Sequence, residues 1–392
     1  MKPNYCFVFC AGQKKMFCYF NSESQYRNGI GTFVPEDIDA SLCTHIVYAF
    51  ANVSGLELTN TNWNDQIPGG LYERTVALKR INPDLKILLA VGGWEIGSDP
   101  FRELASTWQT RNQFAKNVIK YLRKYGFDGL DMDWEFPAAR GSPPGDKRKF
   151  TDLMRQLQSE FTKEAAETGN DKLLLTLAAA SGTFYINLSY EPRQLIPTLD
   201  YMLLMSYNYH GNWENTTGHH TGLWPNNIDQ TRKERELNIN WSVDYWLNQG
   251  IPKEKLIMGL SAYGMSYTLN FTNQNQVGAP AQSGGRPGAY TDEAGILSYF
   301  EANSYKGWNR RYIPEQDSPY AFRGDQWVGY DDKASLEIKA NYARDRDLGG
   351  AMLWSVETDD FTGSCGDGRY PLLKTVNNII RNKQTGEKSS NC

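Results

Sequence analysis

Eight short runs of apolar, β-branched and aromatic residues recur along the chain: Met16–Phe20, His45–Phe50, Lys86–Gly93, Gly129–Glu135, Leu173–Ala179, Tyr201–Tyr207, Lys255–Tyr263 and Gly349–Val356. Runs of this length predict strands buried on both faces, as in a parallel sheet. Amphipathic helical patterns lie between several of them. Phe114, Val118 and Leu122 fall on one helical face, with Gly126 placed to end the helix. Phe150, Leu153, Met154, Leu157 and Phe161 repeat the pattern after the fourth run. Eight strands alternating with helices predict a (β/α)8 barrel in preference to a doubly wound sheet.

One interval is too long for that scheme. Residues 264–335 hold Gly/Pro/Gln-rich loops, the strand-like piece Gln326–Tyr330 and the turn at Gly284-Gly285. A small α+β insertion between strand seven and the helix that follows it accounts for them. Residues 13–378 then form the barrel domain with its insertion, and 379–392 a polar tail. Residues 1–12, with one Lys, a short apolar stretch and small Ala11 and Gly12, read as a short secretory signal or its remnant. The expected destination is outside the cell, to which five Asn-x-Ser/Thr sequons (Asn52, Asn187, Asn215, Asn240, Asn270) also point.

Composition narrows the classes. With 40% hydrophobic and 22% charged residues and a net charge of −4, the chain suggests neither nucleic acid nor an anionic membrane as partner. No run of 18 apolar residues is present to span a bilayer. Its 11 Trp, 23 Tyr and 17 Phe suit either a core or a surface on which flat rings stack against sugar faces, and position rather than composition must separate the two. Of six cysteines, Cys6 and Cys10 fall in the signal segment; we favour Cys18–Cys43 as one disulfide, which leaves Cys365–Cys392 by elimination. None has the paired spacing of a zinc site, and no metal or cofactor is expected.

The chemistry concentrates in Phe127-Asp128-Gly129-Leu130-Asp131-Met132-Asp133-Trp134-Glu135-Phe136-Pro137. Asp131, Asp133 and Glu135 recur with period two, so a strand points all three to one face, while Leu130, Met132 and Trp134 take the other. In a barrel the acids climb inward toward the C-terminal rim, where barrel active sites sit. Crowded carboxyls cannot all ionise at neutral pH, so at least one keeps its proton. A protonated carboxyl is what acetal cleavage needs, since the leaving oxygen must receive a proton. Glu135, last and longest in the row, is the natural donor, with Asp133 able to hold or pass on a proton. A metal site is disfavoured because no His stands within the segment and three acids on one strand suit octahedral coordination poorly. Asp128 breaks the parity and is assigned only a structural place.

The segment resembles the Asp-x-x-Asp-x-Asp-x-Glu signature of the family-18 chitinases, matched by Asp128, Asp131, Asp133 and Glu135. Further matches stand in family order over residues 16–378: Cys18-Tyr19-Phe20, Cys43-Thr44-His45, Gly92-Gly93-Trp94, Met205-Ser206-Tyr207, Tyr263-Gly264 and Trp354 to Phe361. The resemblance implies endo-cleavage of β-1,4-linked N-acetylglucosamine polymers, with chitin and chitooligosaccharides as partners and a monomeric enzyme. It also implies a retaining mechanism without an enzyme nucleophile, in which the sugar's acetamido oxygen attacks its own anomeric carbon. Glu135 then acts as acid and later as base, Asp133 orients the acetamido N–H, Asp131 shares the proton of Asp133, and Tyr207 donates to the acetamido group. Trp354 floors the reacting sugar, and Trp94 and Trp213 stack sugars on the leaving-group side. Tyr19, Phe50, Met205, Asn208 and Tyr263 complete the expected substrate-binding set.

Four positions depart from the pattern of the animal enzymes: Asn208 stands for Asp, Met265 for Arg or His, Phe136 for Tyr, and Glu23 for a Trp under a distal non-reducing sugar. The first two remove opposite charges; the last removes a stacking platform and predicts weaker grip on crystalline chains. Two other readings stay open: an endo-β-N-acetylglucosaminidase acting on glycoprotein glycans, and a chitin lectin or growth-factor-like binder. The second is the state of relatives that have replaced the acid, which here is intact.

Overall fold

The computed structural model describes residues 13–304 and 307–381, so residues 1–12, expected to be a signal segment, Cys392 and most of the tail lie outside the described residues. Eight strands, Lys15–Asn21, His45–Ser54, Lys86–Gly92, Gly129–Asp133, Leu174–Ala179, Tyr201–Leu204, Leu256–Ser261 and Gly350–Trp354, pair in parallel with their successors. The first also pairs with the eighth, from Lys15 against Gly350 to Cys18 against Leu353, and this closes the ring. The protein is a (β/α)8 barrel.

Outward-facing residues of the strands meet the helices. Trp134 stacks on Phe101 at 5.1 Å between ring centres and meets Phe150 edge-on. Helix Trp108–Tyr125 buries Phe114, Val118 and Leu122 and ends at Gly126; helix Asp146–Thr168 buries Phe150, Leu153, Met154, Leu157 and Phe161. Each such side chain contributes about 1.5–3 kcal/mol when removed from water. A disulfide joins Cys18 of the first strand to Cys43, just ahead of the second. By closing a loop of that length it stabilises the fold by roughly 3 kcal/mol.

The strands are shorter at the rim than the apolar runs predict. The fourth ends at Asp133, not Glu135; the sixth at Leu204, not Tyr207; the seventh at Ser261, not Tyr263. Hydropathy records burial, and these residues remain packed at the mouth after the ladder has ended. Tyr263 instead opens Tyr263–Leu269, a strand of a second, antiparallel sheet. That sheet runs Ala281–Gly284, Tyr263–Leu269, Gln326–Gly329, Ser318–Arg323, Asn309–Ile313, with Ile296–Ser298 also on Tyr263–Leu269. It precedes helix Lys333–Asp345 and occupies the long interval.

Asp128 lies just before the fourth strand. Its Oδ2 accepts from the Ile87 backbone N–H at 2.7 Å and pairs with Lys79 at 2.7 Å, so it ties the lower ends of strands three and four.

Candidate active site

Register places the acids. Asp131 lies opposite Ala90 on strand three and Thr176 on strand five, and Asp133 lies opposite Gly92. Both carboxyls are buried inside the barrel. Asp131 is held from two sides: the Tyr19 hydroxyl donates to Oδ2 and the Thr176 hydroxyl to Oδ1, each at 2.5 Å. Thr176 was not among the expected site residues; its one signal in the sequence is a hydroxyl within an apolar run.

Burial raises both aspartates above the usual carboxylate range. For Asp131, hydrogen bonds from Asp133, Thr176 and Tyr19 oppose that rise. For Asp133, the charge of Asp131, the hydrogen bond to it and the charge of Glu135 add to burial and hold the proton firmly. The pair thus carries one proton, on Asp133, donated to an Asp131 whose negative charge Tyr19 and Thr176 stabilise. Asp133 Oδ2 is buried without a hydrogen-bond partner among the described residues. Such an oxygen is costly unless a ligand group meets it.

Glu135 stands at the mouth, partly exposed, immediately past the ladder. The protein packed around its carboxyl raises its pKa to about 7, and the Arg140 guanidinium pulls the other way. Arg140 is a second residue that sequence reasoning missed, since it sits in an irregular loop. It donates to the carbonyls of Glu135 at 2.9 Å and Trp94 at 2.7 Å, and its guanidinium lies 3.5 Å from the centre of a Trp94 ring.

Around the acids the mouth is aromatic. Trp354, at the end of strand eight, meets Tyr19 edge-on at 5.3 Å and Phe50 at 5.8 Å. Gly93, at φ +88°, lets the chain turn there; a Cβ would stand 3.0 Å from the Phe50 ring. Trp94 follows, half exposed at 49%. Tyr207 is buried and meets Tyr263 edge-on, while the Tyr263 hydroxyl donates to Asn208 Oδ1 at 2.5 Å. Met205 packs partly buried against the same cluster. Trp213 is 59% exposed and folds its ring over Gly211, where any side chain would collide with it. The mouth therefore combines one proton-bearing carboxyl, one orphaned carboxyl oxygen and flat rings at several depths.

The sequence pattern of glycosyl hydrolases family 18 matches residues 15–359, most of the chain. The chain belongs to this family. Mouse chitotriosidase-1 is 43% identical over 363 residues, 92% of this chain and 77% of that protein. The structure of human YKL-39, a pseudo-chitinase with retained chitooligosaccharide binding properties, superimposes with a TM-score of 0.89 at 37% identity, covering 94% of this chain and 99% of that one. An immunomodulatory active chitinase from Trichuris suis gives 0.90 at 33% identity, covering 94% and 100%.

The departures from the family pattern now have positions. Asn208 keeps a neutral hydrogen bond with Tyr263, and Met265 is buried in the apolar cluster that holds Tyr207 and Tyr263. Phe136 is buried with its ring 4.4 Å from that of Tyr185. Glu23 is exposed in the turn after strand one, its backbone N–H bonded to Asn21. Cys365 keeps its pairing question open, because Cys392 lies outside the described residues.

Proposed function

We propose that this family-18 protein is a secreted, endo-acting chitinase that hydrolyses β-1,4 linkages of N-acetylglucosamine polymers with retention of configuration. The observation that carries the reading is the poised pair at the mouth: Glu135 with a pKa of about 7 above a protonated Asp133 with one unmet buried oxygen. A sugar over Trp354 presents its acetamido group to Asp133 and Tyr207. Glu135 gives its proton to the glycosidic oxygen, whose bond to the anomeric carbon breaks. The acetamido carbonyl oxygen bonds to that carbon from the opposite face, forming an oxazolinium ion, and the N–H hydrogen-bonds the orphaned Asp133 oxygen. Water then attacks the same carbon, Glu135 takes its proton, and the oxazolinium ring opens. Trp94 and Trp213 hold the leaving-group sugars. The Cys18–Cys43 disulfide fits an oxidising compartment.

The second reading is a chitooligosaccharide binder, as YKL-39 is, favoured by Phe136 and Asn208 at the mouth. Purified protein and its Glu135→Gln variant, incubated with chitohexaose and followed by NMR of the anomeric protons, separate the readings. Cleavage giving the β-anomer first, lost in the variant, supports the chitinase. Binding without cleavage by the wild type establishes the binder, and release of glycans from a glycoprotein but not of chitin fragments establishes the endo-β-N-acetylglucosaminidase.

A further inference from the structure

Three of the five Asn-x-Ser/Thr sequons commit their asparagine side chain to the fold. Asn52 Oδ1 accepts from the Val53 N–H at 2.7 Å, Asn187 Oδ1 from the Tyr245 hydroxyl at 3.1 Å and Asn240 Oδ1 from the Tyr342 hydroxyl at 2.8 Å. Asn215 and Asn270 are exposed, and neither side-chain amide makes a hydrogen bond among the described residues. Distant in sequence, these two meet on one peptide group. The Ala281 N–H donates to the Asn215 carbonyl at 2.8 Å, and the Asn270 N–H donates to the Pro280 carbonyl at 3.0 Å. The Thr217 N–H donates to the Ala279 carbonyl at 2.9 Å, and Thr216 bridges Pro280 in antiparallel register. Residues 215–217, which follow Trp213, therefore add a short outer strand to the second sheet, two strand spacings or about 9–10 Å from Asn270.

The outer side of that strand is open: the backbone N–H and C=O of Thr216 have no hydrogen-bond partner among the described residues. Exposed apolar side chains flank it. Phe271, 54% exposed, follows Asn270, and the half-exposed Ile228 lies against Gly278, whose N–H donates to the Thr217 carbonyl at 2.8 Å. An open edge with apolar neighbours is a template for pairing with another chain unless something covers it. We propose that Asn215 and Asn270 both carry N-linked glycans, and that the two together cover this edge of the second sheet. In the attachment, each side-chain amide nitrogen bonds to the anomeric carbon of an oligosaccharide borne on a lipid pyrophosphate. The bond from that carbon to the phosphate oxygen breaks, the lipid pyrophosphate leaves with the bonding pair, and the amide gives up one proton. Bulky hydrated sugars at these two points keep another strand from docking. The modification rests on the reading of the chain as secreted and is independent of the catalytic reading.

The test uses the full chain expressed in cultured eukaryotic cells. Protein recovered from the medium is digested with an N-glycan amidase in oxygen-18 water and mapped by peptide mass spectrometry. The label is expected at both Asn215 and Asn270. Secreted protein that is unlabelled at either site overturns the proposal while the secreted reading stands. A chain retained inside the cell without glycans overturns both, and chitohexaose cleavage by that material would leave the catalytic reading untouched. For the covering role, the Asn215→Gln/Asn270→Gln double variant and the enzymatically deglycosylated parent are compared with the glycosylated parent by sedimentation over a range of concentrations. Both sugar-free forms should shift from monomer to dimer or larger species, with chitohexaose turnover unchanged. Sugar-free forms that stay monomeric wherever the parent does overturn the covering role. Association of the double variant but not of the deglycosylated parent traces to the substitutions and overturns it as well.

Discussion

Two of the groups of buried carboxyls in this protein hold opposite charge states. Below the second sheet, Asp331 and Lys339 are fully buried and paired, and the hydroxyls of Thr221 and Ser335 donate to Asp331 at 2.7 Å each. Burial pushes the Asp331 carboxyl up, but the charge of Lys339, neighbouring His219 and the hydrogen bonds from Lys339 and Thr221 together outweigh it and hold the group below its ordinary value. Beside it His219 stays neutral: burial and the Lys339 charge lower it to about 4, and its Nε2–H serves the carbonyls of Pro319 and Tyr330. In the barrel, Asp131 and Asp133 are as deeply buried, but hydroxyls rather than a cation face them. Their nearest counter-charge acts higher up, where Arg140 faces Glu135. In these two sites, the acid paired with a cation is a structural ion pair, and the acids that face only hydroxyls favour a retained proton.

The comparison can be broken most forcefully at each centre in turn. Glu135→Gln should lower kcat for chitooligosaccharides on the order of 10²–10⁴-fold. It should leave thermal stability at or above that of the parent at pH 8. The sign follows from linkage: a carboxyl raised to about 7 in the folded protein stabilises it at low pH, and that contribution is lost as pH climbs from the ordinary carboxylate range through 7. Lys339→Met should do the reverse, costing about 3–5 kcal/mol in denaturant unfolding by stranding Asp331. Its measure is the midpoint shift, and Asp331→Leu added to Lys339→Met should recover much of the loss. Asp133→Asn keeps the shape of the row and removes its stored proton. It should reduce kcat by at least tenfold with no loss of melting temperature, whereas an equal loss of stability would make the site structural like the Asp331 pair. The smallest effect is expected from Arg140→Gln. Removing the guanidinium lets the Glu135 pKa rise, so the basic limb of the rate profile should move to higher pH while the melting temperature stays put.

The same contrast explains what the sequence made legible. The eight apolar runs marked the barrel strands because both their faces are buried, and period two alone placed Asp131 and Asp133 inside. The pairing of Cys18 in the first strand with Cys43 just ahead of the second was readable, as was the long interval that became the second sheet. That sheet's own strands were mostly not: Asn309–Ile313 is largely exposed and carries two Arg, so it lacks the buried-strand pattern. Thr176 and Arg140 were missed for a related reason. Each acts through register or loop geometry across the barrel, and neither belongs to a periodic pattern of its own. Glu135 was expected on the strand and stands just beyond it, because hydropathy cannot tell a paired residue from one packed at the rim. The Asp331–Lys339 pair gave no signal either, its partners sharing the i, i+8 spacing of a strand end and a helix turn that any surface pair could have.

The central claim is that no cation faces Asp131 and Asp133, and that burial, only partly opposed by Arg140, keeps a proton ready on Glu135 near neutrality. Its most direct test is the pH dependence of kcat/KM for a soluble chitooligosaccharide, measured from pH 4 to 9. The account predicts a rate that falls above a basic limb near pH 7, where Glu135 gives up its proton, and a limb that moves upward in Arg140→Gln. A rate that stays level to pH 9, or one that falls with a pKa in the ordinary carboxylate range near 4, would contradict it.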